Sequence, residues 1–282
     1  MQPATTAPVI SNSRPKFIIS ALNSTVAFTL AYLLVNGLHQ LATVLMAERL
    51  QVRGAWGLSR ITYSLADNEW WRTAVIAVYG VGPLVAAALG LVAYQWYWQR
   101  QRAQRGLLKL LLLWVALHAI NAGLGALFTD TFLRTGFYYV PSWLLGLGAA
   151  VSWVLAVLAG VAQVGAGWWA SVAFLQAHDS RTVMRYANRQ RMVVSTIFVP
   201  WLAGTVLLAL AKAPDFSLVE GLHLAGLGLL LVPMAIGCLN ELFSSTVRKP
   251  QPTRVAWGLL ALLGLGLLSW HLLLSPALPF GS

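Results

Sequence analysis

Seven apolar stretches dominate the 282-residue chain, at about 17–47, 73–98, 107–128, 142–175, 190–212, 218–243 and 255–275. Each is long enough to cross a hydrocarbon layer about 30 Å thick, which takes about 20 helical residues. Lipid offers no hydrogen bonds, so a spanning segment must satisfy its own backbone, and each stretch is expected to be a helix. The fold class that follows is all-α: a polytopic membrane bundle with a polar tail at 1–16, one transmembrane domain over 17–275 and a short tail at 276–282. Composition agrees, with 58% hydrophobic and 10% charged residues, where a soluble domain keeps about 25% charged. The first apolar run exceeds the core of a signal peptide and reads as an uncleaved span. No polar interval is long enough for a separate soluble domain.

The net charge of +11 does not indicate nucleic acid, because the basic residues lie in short loops between the spans. Such charges set topology and meet anionic headgroups. With the N-terminus inside, inner segments hold 13 Lys and Arg and outer segments 6. The bias places the N-terminus in the cytoplasm and the C-terminus outside, in a bacterial inner membrane. Cys238 is the single cysteine, which excludes an intrachain disulfide and any Cys-rich metal site.

Aromatic residues gather at span ends, among them Trp70, Trp71 and the run Tyr94–Trp98, as membrane interfaces favour. Pro83, Pro200 and Pro233 fall inside spans, where each removes a backbone hydrogen bond and kinks its helix. Small residues recur in "GLGAAVSWVLAVLAGVAQVGAG" (146–167), a composition that lets helices approach closely in lipid. No internal repeat supports an inverted-repeat transporter.

Polar side chains within spans are costly and mark candidate sites. His39, His223 and His271 lie toward the outer halves of the first, sixth and seventh spans, and His118 near the middle of the third. Asn36 precedes His39 by three residues, Asn121 follows His118 by three, and Glu220 precedes His223 by three. That spacing puts both members of each pair on one helix face, where they would line a shared pocket. Imidazole and carboxylate suit zinc or iron, so His39, Glu220 and His223 with His118 or His271 form one candidate metal set. Two of the histidines as axial haem ligands form another, and structural contacts between helices a third. Asp130, in "LFTDTFLRTG", closes the third span and is expected at the interface, paired with Arg134. No Ser–His–Asp spacing, phosphate-binding glycine loop or nucleotide fingerprint occurs.

The stretch "NGLHQLATVLMAERLQVRGAW" (36–56) is followed by the alternating "AWGLSRITYSL", which reads as a short β-like hairpin, and then by a span containing Gly82-Pro83. This order resembles the site-2 protease (M50-like) family of intramembrane metalloproteases over about residues 30–98. In that family a helix bearing His-Glu-x-x-His precedes a membrane-associated β element and a helix with an Ala-Gly-Pro-like turn. The resemblance makes His39 the first zinc ligand, Gln40 the occupant of the catalytic glutamate's place and Thr43 that of the second histidine. The family's later Leu-Asp-Gly-type ligand motif is absent, and Asp130 is the nearest acidic residue. A glutamine cannot take a proton from zinc-bound water. The charge count also puts the end of this helix outside, whereas the family directs it toward the cytoplasm.

These features imply a degenerate scaffold without peptidase chemistry. It is expected to bind membrane lipids, a membrane protein partner, a second copy of itself or an apolar ligand. The alternatives are a metal- or haem-binding redox subunit and a transporter or channel subunit.

Overall fold

A computed structural model describes residues 14–146, 148–241 and 250–281. Most of the N-terminal tail, together with Arg248 and Lys249 of the topology count, lies outside the described residues. Seven helices are long and apolar enough to cross a membrane: α1 (Arg14–Arg49), α2 (Arg72–Gln101), α3 (Leu108–Leu133), α4 (Ala150–Gln176), α5 (Tyr186–Ala211), α6 (Leu218–Leu239) and α7 (Trp257–Leu274). The protein is therefore a multi-pass, all-α membrane bundle. The fourth span begins later than its hydropathy implied. A short helix at Tyr139–Leu145 ends on Gly146, whose φ of +60° is strained for any other residue, and the span starts beyond that turn.

α1 and α3 form the centre. Phe28 of α1 and Trp114 of α3 are fully buried and meet edge to face at 5.1 Å, an arrangement the ring quadrupoles favour. Trp114 also donates to Ser24 Oγ, which donates in turn to the Thr196 carbonyl of α5. α7 lies at the periphery: Leu265, Leu268, Leu272 and Leu273 are all exposed, as lipid-facing leucines are. Small residues carry the close crossings. Gly90 of α2 lies against Ala119 of α3, and Gly167 of α4 against the Leu230 carbonyl of α6.

Prolines and wider turns shape the spans as their chemistry requires. Pro83 and Pro233 sit inside α2 and α6. Pro200 follows a π-helical turn at Val194–Phe198 in α5, and a second such turn occupies Asn121–Gly125 in α3. Turns of this kind cluster at functional sites, and the one in α3 carries Asn121.

The hairpin read from the sequence is present. β1 (Gly54–Trp56) pairs antiparallel with β2 (Ile61–Tyr63). A third strand, β3 (Leu278–Phe280), was hidden in what reads as a tail. It pairs with the other edge of β1 to give the order β2-β1-β3. Pro279 fits there because β3 is an edge strand, where a missing N–H can face away from the ladder. The sheet also fixes parity, since the segments that follow the first and seventh spans must share one end of the bundle.

The opposite end is organised around Asp179, which binds Lys109 at 2.5 Å and the Gly106 N–H at 2.8 Å. Beside it His178 Nε2 meets Thr196 Oγ1 at 3.2 Å. Burial, and then the Lys109 ammonium, pull the His178 pKa from 6.5 down to about 4, with Asp179 opposing. The unfolded chain thus binds the proton more readily. The stabilising contribution is complete above pH 6.5 and is lost as pH falls through 6.5 toward 4. In detergent, the unfolding free energy measured across that window should drop by about 3 kcal/mol. His178→Gln, which keeps a donor for Thr196, should flatten the profile; an unchanged slope would refute the assignment.

Candidate functional site

The sheet-bearing end encloses a chamber of about 450 Å³. Its walls bring together most of the polar residues that the spans carry. His39 and Asn36 reach it from α1, His118, Asn121 and Asp130 from α3, and Glu220 and His223 from α6. His271 does not join them: it is exposed on α7, with Nδ1 3.3 Å from the Ala211 carbonyl. Apolar side chains, including Val35, Val78, Pro83 and Leu224, complete the lining, which also includes the exposed Arg60.

The acidic residues are held separately. Asp130 is buried, and it does not pair with Arg134 as expected. Its Oδ1 lies 2.6 Å from His223 Nε2, and its Oδ2 accepts from the Phe137 N–H at 2.8 Å. A carboxylate only accepts, so the hydrogen of the 2.6 Å contact belongs to the imidazole. Arg134 instead terminates α3 with φ +52°. Gly136, with φ +52°, lets the chain pass directly over this carboxylate; a Cβ there would lie 2.6 Å from Asp130 Oδ2.

Glu220 is anchored differently. Its Oε1 accepts from both the Lys212 ammonium and the Tyr32 hydroxyl, and Lys212 also reaches the Tyr32 oxygen at 3.2 Å. Lys212, one of the six basic residues assigned to the outer segments, is 1% exposed. It stands one residue past the end of α5 and eight before Glu220, and an isolated cation so close to a span was the one signal for this pairing. Gln163 of α4 was likewise missed. It donates to Asn121 Oδ1 at 2.8 Å and to the Gly226 carbonyl at 3.3 Å, while Asn121 donates to the His223 carbonyl at 2.9 Å. The wider turn at Asn121 is thus braced against α4 and α6.

The protease-like positions are committed to other work. Gln40 is buried, with Oε1 accepting from Trp56 Nε1 at 2.8 Å and Nε2 directed at the Ser59 carbonyl at 3.5 Å. It fastens the hairpin to α1. Thr43 donates to the His39 carbonyl of its own helix at 3.0 Å. The His39 ring packs on Gly82, where an added Cβ would come within 2.4 Å of His39 Cδ2. Among the described residues no three His, Cys, Asp or Glu side chains are placed to hold a metal ion. Glu220 Oε1 is taken by Lys212 and Tyr32 and His223 by Asp130, so the expected metal set does not assemble among the described residues.

Restoring the motif's glutamate should therefore not restore catalysis. Gln40→Glu sets a second acceptor against the Ser59 carbonyl and should cost about 1–2 kcal/mol, read from unfolding midpoints, with no peptide hydrolysis gained. Hydrolysis by this variant would contradict the structural role of Gln40.

Several polar atoms of the residues that line the chamber have no hydrogen-bond partner among the described residues. They are Asn36 Nδ2, Ser59 Oγ, His118 Nε2, Thr135 Oγ1 and Glu220 Oε2, all buried. Leaving such groups unpaired costs about 1–3 kcal/mol each, so they are strong sites for a hydrogen-bonding guest. Tyr63 of β2 also lines the chamber, and burial, then Tyr79, raise its phenol well above the usual range, keeping it neutral. No family model, curated protein or solved structure matches the chain.

Proposed function

We propose that this is a non-catalytic binding protein of the bacterial inner membrane, which holds a small amphiphilic ligand in the chamber under the sheet. Its N-terminus is cytoplasmic and the chamber faces outward, as the 13-to-6 distribution of basic residues favours. The scaffold descends from an intramembrane protease. The order of helix, hairpin and Gly-Pro helix supports that descent, as does the seat of His39 on Gly82.

One observation carries the reading: five buried polar atoms without partners among the described residues belong to side chains that line one chamber, whose surface is mostly apolar. Asn36 Nδ2 only donates, Glu220 Oε2 accepts, and the two hydroxyls do either. Glu220 is matched by Lys212, and Asp130 by a hydrogen bond from His223. The complement is therefore an uncharged head rich in hydroxyl or amide groups, carried on an apolar body. A second copy of the chain or another membrane protein would present the ligand or receive it.

Thiol labelling tests the chamber, because the single native cysteine, Cys238, is buried. Asn36→Cys in proteoliposomes should react with a membrane-impermeant reagent from the sheet-bearing side, and Ala126→Trp, which fills the chamber, should slow that reaction at least tenfold. Reaction at equal rates with and without the tryptophan would count against an open chamber.

A further inference from the structure

We propose that the bundle holds a second site at the end opposite the sheet, a cavity that binds the phosphate of an anionic phospholipid between Arg105 and Arg254. The cavity, of about 800 Å³, lies among α1, the loop before α3, the loop after α4 and the segment leading into α7. Its shape is fixed by hydrogen bonds. Asn23 of α1 donates to the Arg254 carbonyl at 2.8 Å and accepts from the Ala256 N–H at 2.9 Å. The Gln251 N–H donates to the Asp179 carbonyl at 3.1 Å.

The charge balance selects an anion. Asp179 lines the cavity, but its carboxylate is matched by Lys109 and by the Gly106 N–H. His178 is uncharged at neutral pH, and its Nε2 is engaged by Thr196. Among the described lining residues Arg105 and Arg254, both exposed, remain. Among the described residues, no carboxylate lies within 4.0 Å of either guanidinium. Thr253, also in the lining, carries a buried hydroxyl without a partner among the described residues. Two planar forks and a hydroxyl are a phosphate-binding set.

The walls select a lipid over a free ion. Leu108, Leu110 and Leu259 belong to the spans themselves and continue the cavity into the apolar layer, where Leu108 is exposed. A headgroup seated between the arginines would leave its acyl chains along these leucines. Basic pockets between spans at the inner leaflet have this preference.

Native mass spectrometry of the full chain, released from nanodiscs of phosphatidylcholine with one-fifth phosphatidylglycerol, tests the site. The wild type should retain one phosphatidylglycerol with about tenfold preference, since each basic group near the surface contributes on the order of 1 kcal/mol. Arg105→Gln with Arg254→Gln should fall to near parity, and the paired lysine substitutions should keep most of the preference. Arg181→Gln with Arg191→Gln removes equal charge from the same end outside the cavity and should change little. No preference in the wild type, survival of it in the double glutamine variant, or equal loss in the Arg181 and Arg191 control would each overturn the proposal. Millimolar inorganic phosphate is expected not to displace the lipid; displacement would show a site for the free ion.

Discussion

Lys212→Met should be the most damaging conservative change in the protein, costing about 3–5 kcal/mol. Lys212 is buried against the Tyr32 and Trp270 rings, at 5.0 and 5.2 Å, and meets both Glu220 and the Tyr32 hydroxyl. Its removal leaves a buried carboxylate with one neutral donor, and breaking a buried pair from one side carries a cost of that order. Because Lys212, Glu220, Tyr32 and Trp270 come from four parts of the chain, the loss should loosen the sheet-bearing end as a whole. Lys212→Met combined with Glu220→Leu removes both charges and should recover most of the stability. Tryptophan fluorescence during denaturant unfolding in detergent reads each midpoint. A single variant within about 1 kcal/mol of wild type would show the pair to be unimportant.

Gly167→Val should rank next, at about 3 kcal/mol or more. A Cβ at Gly167 would lie 2.1 Å from the Leu230 carbonyl oxygen and 2.9 Å from its carbon. These are backbone atoms, so no rotamer change relieves the clash, and α4 must draw away from α6. Overpacking costs about 1–3 kcal/mol even where side chains can yield. Two residues away lies the control. A Cβ at Gly165 would meet nothing within 4 Å, so Gly165→Ala should be neutral or stabilising by up to about 1 kcal/mol, the helix preference of alanine over glycine. Equal effects at both positions would contradict a crossing set by close backbone approach.

Much of the architecture is legible in the sequence because lipid imposes a strong rule. A span must be long, apolar and helical, and hydropathy alone places all seven. The hairpin after α1 is legible from its alternation. β3 is not, since three residues containing a proline carry no periodic signal and owe their pairing to β1. The site was legible in part. His39, His118, Asn121, Glu220 and His223 stand out as polar residues inside spans, and α1, α3 and α6 bring them to one chamber. Their partners were not legible. Asp130 takes a histidine 93 residues away and not its neighbour Arg134, and Lys212 reads as a loop charge until the bundle closes over it. Gln40 shows the limit most clearly. Its position reads as a lost catalytic base, while its role in fastening Trp56 depends on where the hairpin lies.

Native mass spectrometry of the protein extracted from its own membranes tests most directly whether the chamber under the sheet is a binding site. The wild type should carry a bound amphiphile of defined mass with an uncharged, hydrogen-bonding head. Ala126→Trp, which fills the chamber, should release it while the protein stays folded, and Asn36→Leu should weaken its retention about tenfold, the worth of one hydrogen bond to a buried group. Wild-type protein that carries no such species, or carries it equally with Ala126→Trp in place, would contradict the binding role. So would stoichiometric zinc accompanied by peptide hydrolysis that His39→Ala abolishes.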